Sequence, residues 1–147
     1  MNAPVPVSAA PISRGDRAFA RVVAAVFLGG FATFELLYSV QPLLPMFAEN
    51  FHLTPAGASL SVSVATLIMA PSLILAGTAS EVWGRKRMMV WALTVSALAT
   101  LACALAPTWA ALLALRAVMG FALAGLPAIA MAYLVEEIAP PALGLAM

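Results

Sequence analysis

The sequence predicts an all-α membrane protein, a polytopic bundle of four membrane-spanning helices followed by the start of a fifth. Two features of composition predict this fold class: 64% of the 147 residues are hydrophobic, and only 9% are charged. A water-soluble domain of this length needs considerably more charged surface. The third observation is that the apolar residues form four long stretches, each long enough to cross the hydrocarbon core of a bilayer.

These stretches place the predicted spans at about residues 22–48, 59–80, 88–106 and 111–135. The second and third stretches contain no charged residue. The first contains one acid, Glu35, and the fourth contains one base, Arg116. Four crossings are therefore expected, two of which carry a single ionisable group inside the membrane.

The ends of the chain and one pair of prolines refine this layout. Residues 1–21 are predicted to be a disordered cytoplasmic tail, so that the membrane domain covers 22–147. Pro42 and Pro45 lie near the outer end of the first span and predict that its helix bends or ends there. Residues 142–147 are apolar again after a polar break, which predicts a fifth span starting at 142 in a truncated chain.

The cationic side chains predict the orientation in the membrane. The cations outside the spans are Arg14, Arg17 and Arg21 before the first span and Arg85, Lys86 and Arg87 after the second. The loops after the first and third spans contain neither Lys nor Arg. Because cytoplasmic loops carry an excess of Lys and Arg, we expect a multi-pass protein of the cell (inner, plasma) membrane with a cytoplasmic N-terminus.

Glu35 and Arg116 are predicted to carry the chemistry, because ionisable groups inside spans are costly and are usually paired or functional. Glu35 lies about 13 residues from the inner end of span one, roughly 20 Å up at the helical rise. Arg116 lies about seven residues, or roughly 10 Å, below the outer Trp109. In a hydrocarbon core of about 30 Å these depths nearly coincide. We therefore predict an ion pair that exchanges a proton against movement or against a cationic substrate.

Three further residues support this prediction. Tyr38 and Gln41 follow Glu35 in steps of three and extend a polar stripe along span one. With Gly120, which lets a neighbouring helix approach closely, they are predicted to line a cavity. Two other interpretations stay open: Glu35 stays protonated and bonds a nearby backbone group, or Arg116 reaches the outer interface with its long side chain.

Several function classes find no support in the sequence. There is no paired His–Glu metal spacing, no Gly-x-Ser-x-Gly and no phosphate-binding glycine loop. The basic residues form no face that suits nucleic acid. We therefore expect neither an enzyme nor a metal or cofactor site, and the expected partners are the lipid bilayer, protons and a small molecule.

The segment from Gly77 to Arg87 resembles the loop between spans two and three of the major facilitator superfamily, G-x-L-x-D-R/K-x-G-R/K-R/K. The matching positions are Gly77, Glu81, Gly84, Arg85 and Lys86. Ala79 and Val82 stand where the family has Leu and a base, and the acid is Glu rather than Asp. The resemblance implies that this motif gates the cytoplasmic side.

Two other segments add to the resemblance. Arg116 and Gly120 are similar to the R-x-x-x-G of the family's span four, which implies a role of Arg116 in proton coupling. The run from Tyr38 to Pro45 is similar to a subgroup of bacterial efflux permeases labelled arabinose-efflux or drug-efflux-like. The resemblance implies proton-coupled efflux of a small drug-like or sugar-like molecule. It also implies twelve spans in two halves, of which this chain supplies part of the N-terminal half and lacks the C-terminal half.

Two alternatives to this family remain at the level of the sequence. A small multidrug-resistance-type exporter also has four spans with a Glu in the first, and it works as a dimer. Such dimers show little Lys/Arg bias, whereas the bias here is complete. The second alternative is a membrane subunit that does not transport, in which Glu35 and Arg116 are replaceable by apolar residues.

Overall fold

The first span is a helix that is interrupted near its outer end. A computed structural model describes residues 12–13, 16–138 and 140 of the chain. In span one, helix α1 covers Arg17–Tyr38, a 3-10 turn covers Gln41–Leu43, and helix α2 covers Leu44–Asn50. Pro42 has no amide hydrogen for the carbonyl of Tyr38, and its ring would clash with that carbonyl in a continuous helix. The structure thus has the break that the prolines predict.

The beginning of α1 differs from the prediction, because the helix starts at Arg17 instead of residue 22. The amide and the hydroxyl of Ser13 both donate to the carboxylate of Asp16, at 2.8 and 3.1 Å. The amide of Phe19 donates to the carbonyl of Asp16 at 3.0 Å. The predicted disordered tail is therefore wrong for residues 17–21, which are helical. The predicted tail up to residue 11 and the predicted fifth span at 142 lie outside the described residues.

Spans two and three are helices α3 (Pro55–Trp83) and α4 (Arg85–Cys103), separated by Gly84 alone. Gly84 has φ +86°, a conformation that glycine adopts readily and other residues rarely do. The segment from Gly77 to Arg87, which resembles a loop, is helical except at Gly84, and both helices run beyond their predicted inner ends. The reason is that an α-helix keeps its hydrogen bonds past the hydrocarbon boundary, and neither proline nor glycine occurs between the predicted inner end at residue 80 and Gly84.

Span four consists of helices α5 (Trp109–Leu123) and α6 (Gly125–Glu137), interrupted at Ala124. The hydroxyl oxygen of Thr108 accepts from the amide of Ala111 at 3.2 Å and caps the start of α5. Pro127 offers no amide hydrogen to the carbonyl of Leu123, which explains the interruption. The sequence places this span correctly but treats it as one uninterrupted helix.

Helix α5 lies at the centre of the bundle, packed against α3 and α4, and α6 continues along the same two helices. The core that these four helices share with the end of α1 contains Leu37, Ala65, Ala92, Ala99, Met119, Leu123 and Leu126. The alanines allow close helix packing, whereas α1 contacts its neighbours only lightly. Within the part of the chain that the structure describes, four segments are long and apolar enough to cross a membrane: Arg17–Asn50, Pro55–Trp83, Arg85–Cys103 and Trp109–Glu136. The predicted all-α bundle of four spans is confirmed.

Distinct clusters close the two ends of the bundle. At the predicted outer end, the ring of Phe51 lies 5.5 Å from that of Trp109 and 6.4 Å from that of Phe47, measured between centroids. At the inner end, Leu134 and Ile138 are buried against apolar residues of the first two turns of α1 and beyond. Ile138 also forms one parallel bridge with Ile12. Both clusters tie span one to span four.

Candidate functional site

Arg116 is the most buried charged residue in the described part of the chain, with a relative exposure of 1%. Its Nε donates to the carbonyl oxygen of Ser61 at 2.8 Å. One terminal nitrogen donates to the carbonyl of Leu36 at 3.1 Å, and the other donates to the carbonyl of Leu37 at 2.6 Å. A weaker contact of 3.3 Å reaches the Met119 sulfur. The guanidinium thus joins spans one, two and four through backbone oxygens.

These carbonyls are available to Arg116 because α1 ends at Tyr38. The last four carbonyls of a helix have no amide partner within the helix, and those of Leu36 and Leu37 belong to this last turn. The carbonyl end of a helix also carries a partial negative charge that favours a cation. The proline break in span one therefore leaves free carbonyl oxygens, each with a partial negative charge, that can accept hydrogen bonds from a buried guanidinium.

Glu35 lies in the same turn of α1 as the carbonyls that Arg116 binds, but its side chain is exposed whereas Arg116 is buried. Its neighbours Leu36 and Leu37 turn their carbonyls toward Arg116, while Glu35 is exposed. Among the described residues, no donor is recorded on its carboxylate, and the predicted side-chain ion pair is not formed. The depth estimate agrees with the structure, but successive helical residues are rotated by about 100°. The guanidinium meets the backbone of α1 before it can reach the carboxylate.

The structure supports neither a backbone bond of Glu35 nor an Arg116 side chain that reaches the outer interface. Arg116 does not extend toward the outer interface, since its three main hydrogen bonds all point into the bundle. Glu35 makes no recorded bond to a described backbone group. Its carboxylate stands free on the exposed face of span one.

Tyr38 and Gln41 lie near Glu35 and are exposed, but neither residue lines one of the described cavities. The ring of Tyr38 stacks on that of Phe34, with centroids 5.8 Å apart. Gly120, the third residue predicted to line a cavity, is instead buried in a helix contact. A Cβ at Gly120 would lie only 2.8 Å from the carbonyl carbon of Ala65 and 2.9 Å from its Cα.

Gly120 and Arg116 act on the same helix contact. They are one turn apart on α5, and their partners on α3, Ala65 and Ser61, are also one turn apart. Gly120 lets the two backbones meet, as the sequence predicts, and this approach brings the Ser61 carbonyl within reach of the guanidinium. The glycine therefore contributes to the site by packing, and it does not face a cavity.

The five motif residues lie at the inner ends of spans two and three. Gly77 and Glu81 belong to the last turns of α3, Gly84 forms the turn, and Arg85 and Lys86 begin α4. Arg85 makes a two-pronged ion pair with Glu136 near the end of α6, with Nε 2.5 Å from one carboxylate oxygen and the terminal nitrogen bonded to the other. The motif is thereby tied to span four.

The sequence does not predict Glu136 as the partner of Arg85. Arg85 and Glu136 are separated by 51 positions, so no local spacing relates them. The available signal was that both lie at the predicted cytoplasmic boundary and carry opposite charges. The backbone partners of Arg116 carry no signal in the sequence at all.

The largest of the described cavities, about 450 Å³, lies beside Arg116 at the outer ends of spans one, three and four. Its polar lining comes from Ser39, Asn50, Thr100, Cys103 and Arg116. Within residues 12–13, 16–138 and 140, no group of three or more His, Cys, Asp or Glu side chains is placed to hold a metal ion.

Comparison with known proteins relates the chain to transporters. The family profile described as Major Facilitator Superfamily matches residues 24–147. The chain is 49% identical over 136 residues to the uncharacterized MFS-type transporter YybF of Bacillus subtilis (strain 168), covering 92% of this chain and 34% of that protein. It is 44% identical over 129 residues to the inner membrane transport protein YnfM of Escherichia coli (strain K12), covering 88% and 31% respectively.

A more distant relative is the niacin transporter NiaP of Acinetobacter baylyi, which is 34% identical over 83 residues, or 56% of this chain and 19% of that protein. No solved structure gives a significant match. The chain spans about a third of the length of YybF and YnfM.

Proposed function

Since the chain belongs to the major facilitator superfamily, we propose that it supplies four spans of a proton-coupled secondary transporter that exports a small molecule. Membership in this family decides against the small multidrug-resistance-type dimer. The protein sits in the inner, or plasma, membrane with its N-terminus in the cytoplasm, as the Lys and Arg distribution favours. The remaining partners are protons, the substrate, and the part of the transporter that this chain does not span.

The observation that carries the proposal is the exposed carboxylate of Glu35 inside span one. A carboxylate directed at hydrocarbon is costly, so such residues almost always face the interior of a bundle or a water-filled cavity. The face of α1 that carries Glu35 therefore lines an aqueous path across the membrane. A carboxylate on such a path takes up and releases protons as access to the two sides alternates.

Arg116 supports this role from the opposite side of the same helix. Its bonds to Leu36 and Leu37 fix the rotation and the end of α1 directly beside Glu35. Arg116 thus acts on the proton site as a positioning residue, through the backbone, while its own charge is held by three carbonyl oxygens. In this arrangement its contribution to proton coupling is to keep Glu35 on the cavity side.

The ion pair of Arg85 with Glu136 supplies a cytoplasmic gate. It joins the turn between spans two and three to the inner end of span four. Because the Glu136 side chain is 56% exposed, water screens the pair and its contribution to stability is small. A contact of this strength can break and re-form during each transport cycle.

The test is transport by the full-length gene product that carries this sequence, in inside-out membrane vesicles energised to be acidic inside. Three probes are offered: tetraphenylphosphonium, nicotinate and arabinose, which represent a lipophilic cation, a carboxylate and a sugar. We expect accumulation of at least one probe, its loss on collapse of the pH gradient, and its loss in Glu35→Gln. Glu35→Asp keeps the acid and is expected to retain accumulation at equal expression.

Two results would contradict the proposal. One is that none of the three probes accumulates in response to the pH gradient. The other is that Glu35→Gln accumulates its probe as the unaltered protein does, which would remove the carboxylate from the coupling mechanism. The second result would favour a transporter coupled elsewhere, or a membrane subunit in which this acid has no role.

A further inference from the structure

A groove opens between spans two and three in the inner half of the bundle. Helices α3 and α4 follow each other across Gly84 but touch only lightly, because each of them packs on span four instead. The space between them is a cavity of about 250 Å³ with span four as its floor. We call this cavity the α3–α4 groove. Small residues make it deep: Ala76, Ala79, Ala92, Ala122 and Gly125.

The lining of the α3–α4 groove is apolar. Ser72 is the only hydroxyl among the lining residues, and it already donates a hydrogen bond of 2.7 Å to the carbonyl oxygen of Ile68. The groove therefore offers no free hydrogen-bonding group to a polar solute. A hydrocarbon chain needs no such group, and it gains dispersion contacts with both walls and the floor.

Two tryptophans mark the level at which the groove meets the membrane surface. Trp91 lines the groove on α4, and Trp83 lies one turn beyond Ala79 on the facing wall. Their side chains are 59% and 66% exposed. Tryptophan prefers the membrane–water interface, where its ring contacts acyl chains and its N–H group reaches polar atoms. The groove therefore opens at the head-group level of one leaflet.

An arginine without an ion-pair partner lies at this opening. Arg87 precedes Trp91 by one turn and shares its face of α4. It is exposed, and among the described residues no acid is recorded within ion-pair distance of it. The neighbouring Arg85 differs, because Glu136 already binds its guanidinium. The groove thus combines an apolar interior with one available guanidinium at its mouth.

This combination matches the chemistry of an anionic phospholipid. A guanidinium binds phosphate with short, charge-assisted hydrogen bonds, and anionic lipids of the cytoplasmic leaflet attract basic residues beside membrane spans. We propose that the α3–α4 groove holds an acyl chain of an anionic phospholipid, such as phosphatidylglycerol, whose phosphate is bound by Arg87. Phosphatidylcholine offers the same chain, but its ammonium group offsets the phosphate charge. The site rests on the proposed function only in placing the Gly84 turn in the cytoplasm.

The test is the quenching of Trp91 fluorescence by phospholipids with brominated acyl chains. The purified full-length gene product is reconstituted in phosphatidylcholine vesicles that contain a minor fraction of either brominated phosphatidylglycerol or brominated phosphatidylcholine. The Trp91 signal is the difference between the unaltered protein and Trp91→Phe. We expect brominated phosphatidylglycerol to quench it at a mole fraction about 5-fold lower, the effect of one arginine beside an anionic head group.

The contribution of Arg87 is isolated by comparison with its neighbour. Arg87→Gln is expected to abolish the preference between the two lipids. Lys86→Gln is the matched control, because Lys86 is also exposed but shares its face of α4 with Met89 and Val90, which do not line the groove. This control should keep most of the preference.

The contribution of the groove is isolated by filling it. Ala79→Leu places a larger side chain in the groove and should weaken quenching by both lipids. Ala97→Leu, at an exposed position of α4 outside the described cavities, should not. Glycerol 3-phosphate in solution should not relieve the quenching, because it lacks the chain that the groove holds. Elution of each variant as a single species in size-exclusion chromatography confirms that it is folded.

Three outcomes overturn the inference. Equal quenching by the two brominated lipids would reduce the contact to ordinary boundary lipid. Absence of quenching by either lipid would show that another part of the transporter covers the groove. An equal loss of preference in Arg87→Gln and Lys86→Gln would assign the attraction to the general positive charge of the turn.

The proposed function is checked separately on the same preparation by Glu35-dependent transport in response to a pH gradient. Absence of this transport would contradict the proposed function and leave the lipid site standing. Transport without lipid preference at Trp91 would do the reverse.

Discussion

The guanidinium of Arg116 donates to the carbonyl oxygen of Leu37 at 2.6 Å, and this bond ties the middle of span four to the broken end of span one. The bond exists because Pro42 ends the helix and leaves its last carbonyls without amide partners. Two consequences follow. The rotation of α1 is set by span four, and Glu35, the only acid of α1, is held on the side away from the arginine.

Replacement of Arg116 by Met is expected to destabilise the protein strongly. Met fills much of the same volume but leaves the carbonyls of Leu36 and Leu37, at the end of α1, without their donor. The carbonyl of Ser61 lies inside α3 and keeps its place in the helical hydrogen-bond pattern. Each buried polar group left unpaired costs about 1–3 kcal/mol, so the loss should be several kcal/mol. The measurement is the thermal unfolding midpoint of the detergent-solubilised full-length gene product.

Arg87→Met is the control for this experiment, because Arg87 is an exposed cation at the start of α4. It should leave the unfolding midpoint nearly unchanged. Arg116→Lys should fall between the two, since an ammonium group cannot span the three carbonyls that the planar guanidinium reaches. Equal midpoints for Arg116→Met and Arg87→Met would contradict the structural role assigned to Arg116.

Gly120→Ala is expected to separate α5 from α3. The added methyl group would meet the backbone of Ala65, which cannot move aside as a flexible side chain does. Overpacking of this kind costs about 1–3 kcal/mol, and the shift should also weaken the bond from Arg116 to Ser61. The measurement is the free energy of unfolding, or its proxy, the thermal midpoint.

Gly30→Ala provides the matched comparison on span one. A Cβ at Gly30 would meet no atom within 4 Å, and alanine favours a helix over glycine by up to about 1 kcal/mol. This variant should be neutral or slightly stabilised. If Gly120→Ala behaved in the same way, the close contact of α3 with α5 would be refuted.

The ion pair of Arg85 and Glu136 should show a small, salt-sensitive coupling energy. A double-mutant cycle with Arg85→Gln and Glu136→Gln is expected to give a small favourable coupling energy at low salt, because the acid is more than half exposed. The coupling should shrink at high salt as the charges are screened. The same cycle with Lys86→Gln in place of Arg85→Gln should be additive; strict additivity of the Arg85 cycle would show that the pair contributes nothing.

The orientation is tested by labelling single cysteines introduced into a Cys103→Ala background. Asn50→Cys, at the end of α2, should react with a membrane-impermeant maleimide added to intact cells. Lys86→Cys, beside the Gly84 turn, should react only after the membrane is permeabilised. The reverse pattern would invert the topology and remove the assignment of Arg85 and Glu136 to a cytoplasmic gate.

The sequence predicts the number and type of the elements well, because hydropathy follows the thickness of the membrane. It places the inner ends of α3 and α4 too far from Gly84, since helices keep their hydrogen bonds beyond the apolar region. It finds the shared level of Glu35 and Arg116 from the helical rise alone. The sequence does not predict the partners of Arg116, because every residue has a backbone carbonyl and the side-chain pattern does not show which carbonyls accept a hydrogen bond.

Helix rotation is the other quantity that the sequence leaves open. The stripe of Glu35, Tyr38 and Gln41 shows that these residues share a face, but not which neighbour that face meets. In the structure the contact with span four falls on the side of Leu36 and Leu37. That choice depends on the close approach at Gly120, which brings α5 to α3 and directs the arginine at the end of α1.

The most direct test of this account is the water accessibility of position 35 in the full-length gene product. Glu35→Cys, Leu37→Cys and Leu98→Cys are compared in the Cys103→Ala background for reaction with a charged, water-soluble methanethiosulfonate. Leu37 is buried, and Leu98 is exposed on span three among apolar side chains. We expect fast modification of Glu35→Cys and slow modification of Leu37→Cys and Leu98→Cys. Modification of Glu35→Cys as slow as that of Leu98→Cys would place this face in lipid and contradict the aqueous path on which the proposed transport depends.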